Sequence, residues 1–102
     1  MQKAQQVQKN IEALQEEIKA SEFNSSSGGG LVKVTISGNY DIKKIEVDDS
    51  IISIEEKSLM LDLIIAAYND AKRIVKETTD SKMQDATAGL PLPPGMKIPG
   101  LF

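Results

Sequence analysis

A chain of 102 residues is one domain at most, because domains typically run about 100–150 residues. The absence of cysteine excludes disulfides, thiol chemistry and soft metal sites, and the absence of histidine removes the commonest general base and transition-metal ligand. The net charge of −3 argues against a uniformly basic nucleic-acid binder, yet the charges are uneven: residues 71–76 carry Lys72, Arg73 and Lys76 with no acid.

Only four aromatic residues are present (Phe23, Tyr40, Tyr68 and Phe102), so small aliphatics must fill a thin core. A monomer built this way is marginal, which favours a second copy that supplies more buried apolar area. The opening residues lack the apolar stretch of a signal peptide, and the longest apolar run, residues 63–68, falls far short of the ~20 residues of a membrane span. A soluble, intracellular protein without membrane contact is expected.

The first twenty residues read as a helix. Ala4, Val7, Ile11, Leu14 and Ile18 fall three, four, three and four apart, giving one narrow apolar seam among good helix formers. A seam this narrow suits packing against one other helix; the alternative is an amphipathic helix lying on its own sheet. Residues 21–30 are a Ser- and Gly-rich connection, with a short strand around Phe23 as an option. Its three glycines are not followed by Lys-Ser/Thr or by a helix, so a phosphate cradle is not expected.

Residues 31–37 and 40–47 read as strands joined by a two-residue turn at Gly38-Asn39. That turn sets Val32 opposite Ile45, Val34 opposite Lys43 and Ile36 opposite Asp41. Val32, Val34, Ile36, Ile45 and Val47 then share a core face. Lys33 faces Lys44 on the other side, beside Thr35 and Ile42. Ser53 with Glu56 three residues on fits a capping box for a helix from about residue 54 to at least 79, and as far as 86 on a longer reading. Met60, Leu63, Ile64, Ala67, Ala71, Ile74 and Val75 mark its main face. Leu59, Leu61, Ile65 and Tyr68 lie off that face and call for cover from a partner subunit. Beyond Val75 the apolar residues thin to Met83 and Ala86, which predicts a distal part projecting into solvent. Residues 89–102 form a tail rich in Pro and Gly for which disorder is the plainer reading, while its apolar residues leave docking onto its own domain or onto another protein open.

No nucleophile–base pair, carboxylate pair or metal-ligand set emerges, so neither an enzyme nor a cofactor is expected. Asp62 and Asp70 stand among apolar neighbours, and an exposed edge or an ion pair with Lys72 or Arg73 accounts for them.

The order helix, Gly/Ser connection, hairpin, long helix, Pro/Gly tail comes with particular strings: MQKAQQVQ at residues 1–8, GLVKVTI at 30–36, SGNYDIKKIEV at 37–47, LDLIIAAYNDAK at 61–72 and LPPGMKIPG in the tail. Together they resemble the YbaB/EbfC family of bacterial nucleoid-associated proteins. The resemblance implies an α+β fold of helix, three-stranded antiparallel sheet and long helix, with the third strand near residues 23–27. It also implies a tight homodimer with arms like tweezers and binding to double-stranded DNA. Residues 1–88 would form the dimerising DNA-binding domain, and 89–102 the tail. Location in the cytoplasm and nucleoid and a gene-regulatory role follow from the same likeness. The family offers no catalytic or base-reading motif to carry over.

The arms correspond to residues 1–19 and 72–82. Lys3, Lys9, Lys19, Lys72, Arg73, Lys76 and Lys82 are the expected phosphate contacts, which set position rather than read sequence. Val7, Ile11, Leu14, Leu61, Ile65 and Tyr68 are the expected dimer contacts. The rival reading is a protein-interaction module or adaptor that uses the tail or the helical seam.

Overall fold

The computed structural model describes the backbone of residues 2–86 and the side chains of residues 5–86. The side chain of Lys3 and the expected tail at 89–102 lie outside the described residues. Helix α1 (Gln2–Ala20) leads into strand β1 (Glu22–Ser27), strand β2 (Val32–Ser37), strand β3 (Ile42–Val47) and helix α2 (Lys57–Ala86). The strands form an antiparallel meander in the order β1-β2-β3. This is the expected α+β arrangement, and the third strand is where the family resemblance put it.

Helix α1 stops at Ser21, whose N–H donates to the Ile18 carbonyl at 3.1 Å and whose hydroxyl donates to the Glu17 carbonyl at 2.7 Å. Those two bonds satisfy carbonyls that a helix end otherwise leaves open. Strand β1, EFNSSS, has little intrinsic strand propensity. It forms because β2 pairs with it along its full length and because its alternate residues Phe23, Ser25 and Ser27 turn inward to α2. Ser27 donates its hydroxyl to the Leu63 carbonyl at 2.6 Å.

The link to β2 takes three left-handed glycines in succession, Gly28, Gly29 and Gly30, at φ 62°, 69° and 96°. A Cβ on Gly28 would also sit 2.8 Å from Leu63 Cδ1, the movable end of a side chain, so it is the left-handed backbone that demands glycine there. Gly38, in the hairpin, meets a different demand. It lies so close to the end of α1 that a Cβ would collide with the Ile18 carbonyl, and its N–H donates to the Ser21 carbonyl at 3.1 Å.

The hairpin differs from the two-residue turn read in the sequence. Tyr40 N–H donates to the Ser37 carbonyl at 2.9 Å and Ser37 N–H to the Asp41 carbonyl at 2.8 Å, so the loop holds three residues, with Tyr40 at φ 67°. The buried Ser37 hydroxyl braces this loop by accepting from Asn39 and Asp41 N–H, both at 3.2 Å. A bulge follows, because Ile36 pairs with Ile42 while Thr35 pairs with Lys44. Loop and bulge each add one residue, and the register moves by two to Val32↔Val47, Lys33↔Glu46 and Val34↔Ile45. The expected opposition of Lys33 and Lys44 is therefore corrected: Lys33 faces Glu46. Ile42, expected on the polar face, pairs with Ile36 and joins the apolar one, since a single-residue slip reverses the side a residue occupies.

Helix α2 begins at Lys57, about one turn later than the sequence suggests. The expected cap bond is nevertheless present, from Glu56 N–H to Ser53 Oγ at 3.2 Å, and closes the turn that feeds the helix. The helix lies across β1 and β2, where Ala67, Ala71 and Val75 meet Val32, Val34 and Ile36, all at 1% exposure or less. Small alanines let the helix approach the sheet closely. At roughly 1.5–3 kcal/mol per buried aliphatic side chain, these strand residues dominate the stabilisation. Strand β3 is not roofed in this way, and its Ile42 and Ile45 stay exposed.

The distal part of α2 does not project bare into solvent as expected. Helix α1 packs along it: Ile11, Ile18 and Met83 form a second buried cluster, joined by Val7, Leu14, Phe23 and Ala86. The narrow seam of α1 thus packs against a single helix, and within this chain that helix is α2.

Candidate nucleic-acid interface

The cations that would meet phosphate fall on the two-helix arm, and their environments differ. On α1, Lys9 is exposed, and Lys19 sits 3.8 Å from Glu16 in a loose pair open to water. On α2, Lys72, Lys76 and Lys82 are exposed and lie in none of the ion pairs found among the described residues. Arg73 is the most engaged of them: Nε and Nη2 donate to Asp70 Oδ1 at 3.1 and 2.7 Å, and Nη1 donates to Glu77 Oε2 at 2.8 Å. The two carboxylates hold the guanidinium above its ordinary pKa, Asp70 contributing most. Asp70 is held below the usual carboxylate range first by the hydroxyl of Ser25, 2.6 Å from Oδ2, and then by Arg73.

The sequence flagged Asp70 by its apolar surroundings. Nothing in it pointed to Ser25, which lies 45 positions away and meets Asp70 only because β1 runs beneath α2.

On the sheet's outer face, Lys44 pairs with Glu46 at 2.6 Å, and the two shift each other's pKa in the expected directions, Lys44 up and Glu46 down. Glu22, Asn24, Ser26, Lys33, Thr35, Lys44 and Glu46 line a shallow depression there. Its two lysines are balanced by two glutamates, so it offers a polyanion no net attraction. The arm is the better candidate. Asp48, at the end of β3, uses its carboxylate to accept Ser50 N–H at 2.9 Å and so caps a short turn. Among the described residues no group of three or more histidine, cysteine or acidic side chains could hold a metal ion.

The residues expected at a dimer contact fall into two sets. Val7, Ile11 and Leu14 pack in the α1–α2 cluster, with Ile11 itself buried. Leu61 and Ile65 remain 46% and 58% exposed, with Tyr68 half-buried beside them. The Tyr68 hydroxyl donates to the Tyr40 carbonyl at 3.4 Å, which turns this flank of α2 toward the hairpin of β3. Leu61 and Ile65 thus share a side of the molecule with the uncovered Ile42 and Ile45. Residues that the sequence did not single out, Ile52 and Ile54, add further exposed apolar surface at the approach to α2.

A family model described as the YbaB/EbfC DNA-binding family matches residues 1–90. The chain belongs to that family. A solved structure, the crystal structure of the uncharacterized protein HP0035 from Helicobacter pylori, is similar at 28% identity with a TM-score of 0.67. The match covers 80% of this chain and 86% of that one. YbaB/EbfC membership makes DNA binding and association with the nucleoid the functional frame for this chain, in a family that is non-enzymatic. Among the described residues, no helix is long and apolar enough to cross a membrane.

Proposed function

We propose that this protein works as a homodimer that binds double-stranded DNA through phosphate contacts from its helical arms, acting in the cytoplasmic nucleoid with a gene-regulatory role. The observation that carries the reading is membership of a DNA-binding family across residues 1–90. No cofactor, metal or membrane takes part, and no bond is made or broken.

Self-association is favoured by the exposed flank. Ile42, Ile45, Leu61 and Ile65 form an apolar surface on one side of a small domain whose sheet is roofed on only two of its three strands. A patch of this kind in a water-exposed protein marks a contact surface, and a second copy presenting the same patch satisfies it symmetrically. Leu61, Ile65, Tyr68, Lys72 and Lys76 are spaced four, three, four and four apart, so one flank of α2 passes from apolar to basic. Two copies joined at the apolar end would bring both pairs of lysines to the margin of the contact. Lys72, Lys76 and Lys82 with Lys9 and Lys19, and Lys3 at the start of the arm, are the proposed phosphate contacts. Residues 1–88 form the dimerising DNA-binding domain, and 89–102 the Pro/Gly-rich tail.

Electrophoretic mobility shifts at several salt concentrations test the proposal. Each phosphate neutralised contributes roughly −0.9 to the slope of log affinity against log salt, so several lysines give a steep line. A flat response, or no shift at low salt, rejects the reading.

A further inference from the structure

Arg73 is the only arginine in the chain and, by residue type, the side chain best suited to grip a phosphate. Its surroundings argue otherwise. All three guanidinium nitrogens already donate to carboxylates, two to Asp70 and one to Glu77. Asp70, Arg73 and Glu77 together carry one net negative charge, so an approaching phosphate meets net repulsion, and only one N–H on each of Nη1 and Nη2 is left to receive it. Lys72 and Lys76, exposed and outside these pairs, stand roughly 60–100° around the helix from Arg73 at about 100° per residue. The remaining oxygen of Asp70 is tied across the core boundary to the Ser25 hydroxyl of β1. The linkage therefore runs strand, Ser25, Asp70, Arg73, Glu77, and it spans the turns of α2 that carry both lysines.

We propose that Arg73 is a positioning residue and not a phosphate contact. Through Asp70 it locks α2 to β1 by way of Ser25, and this fixes the direction in which Lys72 and Lys76 face the duplex. The inference rests on the DNA-binding reading and names which cations serve it.

Full-length wild type, Lys72→Gln, Arg73→Gln, Arg73→Lys, Asp70→Ala and Ser25→Ala are compared by fluorescence anisotropy on one duplex across a salt series, with melting temperatures in parallel. Lys72→Gln lowers the salt slope by about one, the share of a single neutralised phosphate. Arg73→Gln leaves the slope at the wild-type value and displaces the line in parallel toward weaker binding, by about threefold. Arg73→Lys keeps the charge but not the fork, and behaves like Arg73→Gln. Asp70→Ala gives the most telling sign. Removing an anion beside the duplex should by charge alone tighten binding, whereas loss of the lock weakens it, and Ser25→Ala weakens it in the same direction by less.

A drop in slope for Arg73→Gln matching that of Lys72→Gln would overturn the inference, as would full rescue by Arg73→Lys or tighter binding by Asp70→Ala. Should Asp70→Ala melt below the assay temperature, Ser25→Ala carries the comparison alone, and unchanged or tighter binding by it counts against the lock. A wild-type protein that shows no salt-dependent binding defeats the underlying DNA reading, and this inference with it, before any variant is made.

Discussion

A few side chains hold positions out of proportion to their size, and glycine and aspartate are the clearest cases. Gly28 pairs a left-handed backbone with a Leu63 methyl group where its Cβ would be. Gly28→Ala is expected to cost about 1 kcal/mol or more from backbone strain alone, read as a lower urea midpoint with an unchanged m-value. Asp70 makes a different prediction. Its folded-state pKa is depressed by Ser25 and Arg73. The stability it contributes is therefore fully present above its unfolded value of about 3.9, and is lost as pH falls through the lower folded value. The melting-temperature gap between wild type and Asp70→Ala should be widest near neutrality and close on acidification below about pH 4. A gap that stays constant down to strong acid would show that the carboxylate's charge plays no part in the lock.

Elements are legible to different depths, for identifiable reasons. The two helices announce themselves through long 3.6-residue patterns, and β2 through its alternating Val32, Val34 and Ile36. Strand β1 is hidden, because EFNSSS is polar and gains its structure only by pairing with β2; the family strings supply it, not its composition. The hairpin register escapes a reading of the sequence because Asn-Gly-type turn rules favour two-residue loops. Here Tyr40 takes the left-handed position and Lys43 is the extra residue of the bulge. Neither insertion is visible locally, and only the pairing of Val34 with Ile45 and of Lys33 with Glu46 shows why the chain tolerates them: every apolar residue of β3 then faces its like. The role of Met83 is hidden too, since a lone apolar residue far along a helix looks solvent-directed until the other helix is placed on it.

That packing yields a prediction at the level of the arm. Met83 is 5% exposed between Ile11 and Ile18. Met83→Ala should cost about 2–5 kcal/mol where the gap cannot collapse. Because α1 is held mainly by this cluster, the destabilisation should appear first as faster amide hydrogen exchange in α1, with β2 still protected. Equal loss of protection in β2 would mean that the arm and sheet unfold as one unit.

At the scale of the whole molecule, Lys72 and Lys76 continue the apolar flank of α2 and lie outside the ion pairs that Arg73 makes with Asp70 and Glu77. A chain with net charge −3 can meet a polyanion because what counts is the side it presents, not the sum. The interface side of this picture is only half visible in the sequence. Leu61 and Ile65 stand out as apolar residues off the main face of α2, but Ile42 joins Ile45 on the apolar side of β3 only once the bulge has turned the strand.

Substituting Ile65→Glu would plant a charge in that flank, at a position already 58% exposed in a single chain and so tolerated by the fold itself. Sedimentation equilibrium, paired with duplex-DNA anisotropy on wild type and Ile65→Glu, then ties self-association to DNA binding in a single comparison. The wild type should sediment at twice the 11.1 kDa chain mass and bind DNA, while Ile65→Glu should stay folded, sediment as one chain and bind at least about tenfold more weakly. A wild type that remains a folded single chain at micromolar concentration, or a monomeric Ile65→Glu that binds duplex as tightly as wild type, would contradict the proposal that two copies together make the DNA-binding surface.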